Sequence, residues 1–248
     1  MKRFIVIAVI LAIVAGGFLM MPSIQNRIAR ERAIREQAEA IVPAPATYQS
    51  SSFSSERPST AVNYDVPFTP QAPLQNWDAL HEEACEEASA LMVMRYFDGG
   101  AAFSSPDEAE ILITQLVTDN EALGYPVDDT AEQLAALIRH KRPNLHTDIL
   151  SEPSADDLRK RLRSGALIIV PAQGQWLKNP FYTAPGPRYH MLVIKGFTED
   201  GRFITNDPGT KRGKDYVYES EILINAMHDW NSGDVEQGAK VAIAVWKD

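Results

Sequence analysis

The hydrophobic pattern of this chain changes its period close to residue 165. Before that point apolar residues recur at helical spacing, as in Cys85–Phe97, which a pair of glycines follows. After it come short apolar runs that are typical of buried strands, such as 166–171 (ALIIVP) and 190–197 (HMLVIKGF). Helices that precede an antiparallel sheet indicate an α+β domain.

Local signals place the remaining elements. Three further helices are predicted to start at capping sequences near Ser105, Asp129 and Ser154. The Asp200-Gly201 turn predicts a hairpin between strands 190–197 and 202–206. Two more strands are predicted over 214–218 and 240–246.

The N-terminus carries an apolar run over residues 4–21, which follows Lys2 and Arg3. Its 18 residues come close to the ~20 that a helix needs to cross a bilayer. We expect an uncleaved single-pass anchor in the cell membrane, with the globular domain on the extracytoplasmic side. A cleaved signal peptide is the alternative, because 15–17 (AGG) resembles a cleavage site.

Composition divides the rest of the chain into three parts. Residues 23–41 are rich in Ala, Arg, Gln and Glu and predict a juxtamembrane helix. Residues 42–62 are rich in Pro and Ser and predict a linker. Residues 63–248 form one globular domain, which is long enough to bury a sizeable core.

Charge and cysteine content exclude several classes of function. The formal charge of −9 disfavours nucleic-acid binding, which needs a basic surface. The single cysteine, Cys85, excludes an internal disulfide and a cysteine-rich zinc site. His81 lies four residues before Cys85, but no second cysteine or HExxH pair accompanies them, so neither a metal nor a cofactor is expected. The sequence carries no signal for an oligomeric state.

Cys85 is either a buried apolar residue or a nucleophile. It opens a predicted helix, where backbone N–H groups and the helix dipole favour the thiolate. Glu86 and Glu87 oppose this, because nearby carboxylates raise the pKa of a thiol. A catalytic role therefore needs a protonated histidine in contact with Cys85.

His190 and the residues that end the next strand complete a candidate triad. His190 opens an apolar strand after a loop that is rich in Gly, Pro and aromatic residues. Across the predicted hairpin, Asn206 or Asp207 can hold the imidazole in one tautomer. Neighbouring strand residues point to opposite faces, so only one of the two can serve.

Four segments together resemble the bacteriocin-processing-like (double-glycine-peptidase-like) family of papain-fold cysteine peptidases: 66–77 (VPFTPQAPLQNW), 84–92 (ACEEASALM), 189–197 (YHMLVIKGF) and 204–209 (ITNDPG). The resemblance spans nearly all of 63–248. It implies a papain-like fold with the nucleophile at a helix N-terminus, packed on an antiparallel sheet that carries the histidine and the acid.

The resemblance also implies roles for individual residues. Cys85 is the nucleophile, His190 the base, Asp207 rather than Asn206 the orienting acid, and Gln71 a donor to the oxyanion. Aromatic residues near these positions are assigned to substrate binding, although such residues also pack as simple lids: Trp77, Trp176, Tyr182 and Tyr189.

The expected function is that of a membrane-tethered cysteine peptidase acting on a peptide or protein substrate. The chain contains no G-x-x-x-x-G-K-[ST] motif of an export ATPase, so a stand-alone peptidase is expected rather than a leader-processing exporter. Two alternatives remain: a catalytically inactive peptide-binding module of the same fold, and a cell-wall amidase.

Overall fold

The computed structural model describes residues 61–248. The apolar run 4–21, the helix predicted over 23–41 and all but the last two residues of the linker 42–62 lie outside the described residues. Within residues 61–248, no helix has the length and apolar character needed to cross a bilayer.

The described residues form five α-helices and two short 3-10 helices. The first four α-helices lie where they were predicted. The fifth was not predicted, because seven residues show too little of a helical period. The α-helices are α1 (Cys85–Phe97), α2 (Pro106–Ala122), α3 (Ala131–Lys141), α4 (Ala155–Arg163) and α5 (Ser220–Ala226), and the 3-10 helices are Gly174–Leu177 and Val235–Gln237.

Seven strands form one sheet in which every pairing is antiparallel. The strands are β1 (Val62–Asn63), β2 (Leu145–Ser151), β3 (Leu167–Gln173), β4 (Tyr189–Phe197), β5 (Phe203–Asn206), β6 (Tyr216–Tyr218) and β7 (Val241–Lys247). Their order is β2-β7-β3-β4-β5-β6, and β1 also pairs with β4. β1 and β2 were not predicted, because β1 is only two residues long and β2 has no unbroken apolar run.

Side-chain caps determine where three of the helices begin. The Ser105 hydroxyl accepts a hydrogen bond from the N–H of Glu108 at the start of α2. Thr130 and Ser154 each form a reciprocal capping box at the start of α3 and α4. α1 has no side-chain cap, and its first turn is buried. Tertiary contacts therefore fix the position of the α1 N-terminus.

Helices cover both faces of the sheet. Alternate residues of β3 and β4 point to opposite faces, and both sets are buried. Helices α1, α2 and α3 pack with Leu167 and Met191 on one face, whereas α4 and α5 pack with Ile168 and Leu192 on the other. The architecture is therefore a papain-like α+β fold, and burial on both faces explains why β3 and β4 are continuously apolar.

β4 is the strand on which the site is built. It pairs with β3 on one side and β5 on the other, with Val193 opposite Asn206. Near its far end, Gly196 lets β1 cross closely, because a Cβ atom there would lie 2.1 Å from the Val62 carbonyl oxygen. The β4–β5 pairing brings the start of β4 and the end of β5 to the same edge of the fold.

Candidate active site

His190 and Asp207 meet at that edge. His190 is the second residue of β4, and Asp207 directly follows β5. The Nε2 atom of His190 lies 2.8 Å from Oδ1 of Asp207, and both side chains are buried. Because Nε2 faces the carboxylate, Nδ1 is the ring nitrogen available to the candidate nucleophile.

Asp207 is held as a carboxylate by a set of donors. Burial alone would raise its pKa, but the charge of His190 and hydrogen bonds from neighbouring side chains outweigh burial and lower the pKa. An ionised Asp207 accepts only, so His190 Nε2 carries a proton. The donors are His190 Nε2, the Gly209 backbone N–H, Asn179 Nδ2, Tyr182 Oη and Tyr218 Oη.

Asn206, the alternative orienting residue, points away from His190. Its Nδ2 atom donates to the Val66 carbonyl at 3.0 Å, and its Oδ1 atom accepts from the Asp215 backbone N–H at 3.3 Å. The residues that flank the end of β5 therefore have different tasks. Asp207 contacts the histidine, and Asn206 fastens the segment that leads to Gln71.

Cys85 is buried at the first position of α1, with 4% of its surface exposed. Its Sγ atom accepts a hydrogen bond from the Met191 backbone N–H at 3.3 Å. One turn later, the Ser89 hydroxyl donates to the Met191 carbonyl at 3.2 Å. The residue that follows His190 is thus bound to α1 at both of its backbone groups, which places Cys85 beside the start of β4.

The Cys85 thiol is held in its neutral form. Its Sγ–H donates to Oε2 of Glu86 at 3.0 Å. Burial first, and then the charge of Glu86 and this hydrogen bond, raise the pKa of Cys85 well above its usual value, and the N–H of Met191 opposes them. Opposition of Glu86 to the thiolate was predicted from the sequence, whereas the direct contact between the two side chains was not.

Gln71 lies between the turn that follows Asp207 and the loop that precedes Cys85. Its backbone N–H donates to the carbonyl of Pro208 at 2.9 Å, next to Asp207. Its Nε2 atom donates to the carbonyls of His81 at 2.8 Å and Glu82 at 3.0 Å, in the loop that precedes Cys85. In this arrangement the Gln71 amide holds that loop, and donation to an oxyanion requires the release of one of these two bonds.

The four aromatic residues assigned to substrate binding occupy different environments. Tyr182 donates its hydroxyl to Asp207 at 2.6 Å, and its ring packs edge-on against His190. Tyr189 is buried, and its hydroxyl donates to the Asp129 carbonyl at 2.7 Å. Only Trp77 and Trp176 expose large surfaces, 47% and 39% respectively. Tyr182 and Tyr189 therefore have contacts inside the protein, and the two tryptophans have surface available for a ligand.

Three hydrogen-bond partners in the site were not predicted from the sequence. They are Glu86, which binds Cys85, and Asn179 and Tyr218, which bind Asp207. Asn179 follows a 3-10 helix, and Tyr218 ends a strand of three residues. No spacing rule links either residue to Asp207. The sequence shows that Glu86 follows Cys85, but it does not show the direction of the Glu86 side chain.

The possible metal ligands do not lie close enough together to form a metal site among the described residues. In the part of the chain that the structure describes, no group of three or more His, Cys, Asp or Glu side chains is placed to hold a metal ion. His81 is buried, and its ring nitrogens lie 2.7 Å from Asp78 and 3.0 Å from Glu110. The His81 side chain therefore contacts Asp78 in the loop that precedes α1 and Glu110 in α2.

Comparison with known proteins bears on the fold and the family of this chain. The solved structure of a C39-like peptidase from Bacillus anthracis is similar at a TM-score of 0.52 and 17% identity, covering 77% of this chain and 99% of that one. A fragment of prointerpain A from Prevotella intermedia gives a TM-score of 0.44 and 13% identity, covering 74% of this chain and 70% of that one. No curated protein matches. The model of the Peptidase_C39 like family matches residues 64–232, more than half of the sequence, and the chain therefore belongs to this family of cysteine peptidases.

Proposed function

We propose that this protein hydrolyses peptide bonds in a peptide or protein substrate, with Cys85 as nucleophile, His190 as general base and Asp207 as the residue that orients the imidazole. The observation that carries the proposal is the 2.8 Å contact between His190 Nε2 and Asp207, on a strand whose next residue binds Cys85 Sγ. A nucleophile, a base and an orienting acid are the parts that acyl transfer requires.

The arrangement supports a two-step acyl transfer. His190 takes the Cys85 proton at Nδ1, and the thiolate attacks the carbonyl carbon of the substrate. The imidazolium then gives this proton to the leaving amine, and the acyl group stays on Sγ. His190 next activates a water molecule, which releases the acyl group and restores the thiol. Asp207 stabilises the imidazolium in both steps without changing its own protonation.

Gln71 is the proposed side-chain donor to the tetrahedral oxyanion, together with the Cys85 backbone N–H. Support comes from its place between the Asp207–Pro208 turn and the loop before α1, and from its burial. One amide N–H has to turn from the His81 or Glu82 carbonyl when substrate binds. Removal of one oxyanion donor typically lowers kcat by about 10²–10³-fold.

The test compares the protein with Cys85→Ser. A hydroxyl preserves the shape of the residue and can keep both hydrogen bonds of Sγ, so the melting temperature should change little. Hydrolysis of a fluorogenic peptide library should fall by at least about 10³-fold, as is typical when a nucleophile is removed. Equal turnover by both proteins would overturn the proposal.

A second candidate, a peptide-binding module without catalysis, is favoured by one observation. Cys85 is buried, and its thiol is hydrogen-bonded to a carboxylate that disfavours the thiolate. This candidate predicts that the protein and Cys85→Ser bind the same peptides with equal affinity and that neither turns them over at any pH. Binding followed by turnover in the unmodified protein alone would exclude it.

We further propose that residues 4–21 anchor the protein in the cell membrane, with the peptidase domain on the extracytoplasmic side. The length and apolar character of this segment support the proposal. In fractionated cells, the full chain should resist extraction with alkaline carbonate, whereas a chain starting at residue 23 should not associate with membranes. A protease added from outside should reach the domain. Full extraction of the unaltered chain would contradict the proposal.

A further inference from the structure

Glu86 forms a direct and buried contact with the nucleophile. Its Oε2 atom lies 3.0 Å from Cys85 Sγ, and its side chain is 1% exposed. Its second oxygen, Oε1, is buried without a hydrogen-bond partner. Burial of a carboxylate costs free energy when one of its oxygens has no hydrogen-bond partner. Here the other oxygen contacts Cys85 Sγ, the atom that has to become a thiolate in the proposed reaction.

The groups that face Glu86 are titratable or negatively charged. Cys85 and Glu87 come from its own helix, Asp128 from the loop before α3, and Tyr189 from β4. Burial first, and then the charges of Glu87 and Asp128, raise the pKa of Glu86 well above its usual value. Glu86 therefore takes up a proton at a higher pH than an ordinary glutamate does.

The two protonation states of Glu86 have opposite effects on Cys85. As a carboxylate, Glu86 accepts the thiol hydrogen, and its charge disfavours a second negative charge on sulfur. As a carboxylic acid, Glu86 has a hydroxyl that can donate to sulfur. The same contact then stabilises the thiolate, because hydrogen bonds to a charged acceptor are stronger than those between neutral groups.

We propose that Glu86 is a further active-site residue that controls the nucleophile by its protonation: ionised, it holds Cys85 as a thiol, and protonated, it donates a hydrogen bond to the Cys85 thiolate. The change uses one proton from solvent, which binds to Oε2. The thiol proton leaves Sγ for Nδ1 of His190, and the hydrogen bond between Sγ and Oε2 reverses its direction. No electron is transferred. This inference rests on the proposed role of Cys85.

Control by Glu86 gives the reactivity of Cys85 a defined pH dependence. Proton uptake by Glu86 favours the thiolate–imidazolium pair, so the fraction of reactive Cys85 should increase as the pH falls through the pKa of Glu86. Removal of the Glu86 charge should therefore extend reactivity to higher pH.

The experiment follows alkylation of Cys85 by iodoacetamide from pH 5 to 10, which reports on this thiol alone because it is the only cysteine. Glu86→Gln keeps the shape and has an N–H to donate to sulfur, but it cannot ionise. We expect the thiol pKa to fall by ~1 unit, which gives about tenfold faster alkylation at a pH above the pKa of Glu86 and below that of the thiol. Unchanged alkylation in Glu86→Gln would overturn the proposal.

The matched control is Glu87→Gln, a buried neighbour in the same helical turn that acts on Cys85 by its charge and not by a hydrogen bond. It should change Cys85 alkylation clearly less than Glu86→Gln does. Equal changes in alkylation would mean that the thiol pKa responds to the summed negative charge nearby and not to the direct contact with Glu86. That result would also overturn the proposal.

The unmodified protein offers an independent measurement if Glu86→Gln fails to fold. Two groups that share a contact titrate in two macroscopic steps, so its alkylation profile should show two inflections. A single inflection would overturn the proposal. Peptide turnover by the same samples separates this inference from the proposed function. A changed thiol pKa without turnover would refute peptidase activity and leave the Glu86–Cys85 contact supported.

Discussion

His190 and Asp207 are joined by a contact of 2.8 Å between Nε2 and Oδ1, while Asn206, one residue earlier, turns to the Val66 carbonyl. Adjacent side chains at the end of one strand thus serve different parts of the fold. Asp207 acts on the candidate base, and Asn206 fixes the segment that carries Gln71.

Substitution of these two neighbours should separate catalysis from stability. Asp207→Asn removes the charge that orients and stabilises the imidazolium, so kcat/KM should fall by about 10²–10⁴-fold. Asn206→Ala leaves the buried Val66 carbonyl unpaired and should lower the free energy of unfolding by about 1–3 kcal/mol, with kcat/KM retained. Steady-state kinetics and urea unfolding check both variants. The reverse pattern would make Asn206 the orienting residue.

Tyr182 should behave as a support of Asp207. Its hydroxyl donates to Asp207 at 2.6 Å, and burial followed by the charge of Asp207 raises the pKa of this hydroxyl, so it remains a donor. Tyr182→Phe removes one hydrogen bond to a carboxylate, which is worth about 1.5–3 kcal/mol, and should lower kcat more than it raises KM. Tyr216→Phe, in β6, is the control. A pure increase in KM would instead indicate substrate binding.

Gln71→Ala tests whether the amide does more than hold the loop before α1. Loss of its bonds to His81 and Glu82 should lower the free energy of unfolding by about 1–3 kcal/mol. If Gln71 also donates to the oxyanion, kcat should fall by about 10²–10³-fold in the folded fraction. Thr69→Val, a nearby buried residue, serves as the control. A stability loss with unchanged kcat would restrict Gln71 to a structural role.

Glu87 should make the stability of the domain depend on pH. Burial, followed by the charges of Asp129 and Glu121, raises the pKa of Glu87 to about 8. The folded state then binds more protons than the unfolded state between the ordinary glutamate pKa and about pH 8. The free energy of unfolding should therefore decrease as the pH rises through this range, by at most about 1.4 kcal/mol per pH unit for one group.

Thermal unfolding from pH 5 to 8 provides the measurement. Glu87→Gln should flatten the dependence, because an amide does not titrate. Glu82→Gln, which removes an exposed carboxylate from the preceding loop, should leave the slope as it is. Equal slopes in all three proteins would show that Glu87 is not the group responsible.

Local chemistry explains why most helices and the central hairpin could be predicted. The hydroxyls of Ser105, Thr130 and Ser154 cap helices that were predicted to start at or next to these residues. The Asp200-Gly201 turn joins β4 and β5 as expected. Each of these signals lies within a few residues of the structure that it produces. By contrast, β2 depends on β7, nearly one hundred residues away, and its own sequence contains no comparable signal.

The sequence by itself determined helices α1 to α4, strands β3 to β7, the single thiol at the start of α1, and the spacing that aligns the start of β4 with the end of β5. These properties follow from side-chain period, capping and turn chemistry, which act over short distances. Only the tertiary structure decided that Asp207 rather than Asn206 faces His190, that Tyr182 and Tyr218 support Asp207, and that Glu86 binds the thiol. Those contacts depend on the direction of each side chain after distant segments pack, and burial then sets the charge that each group carries.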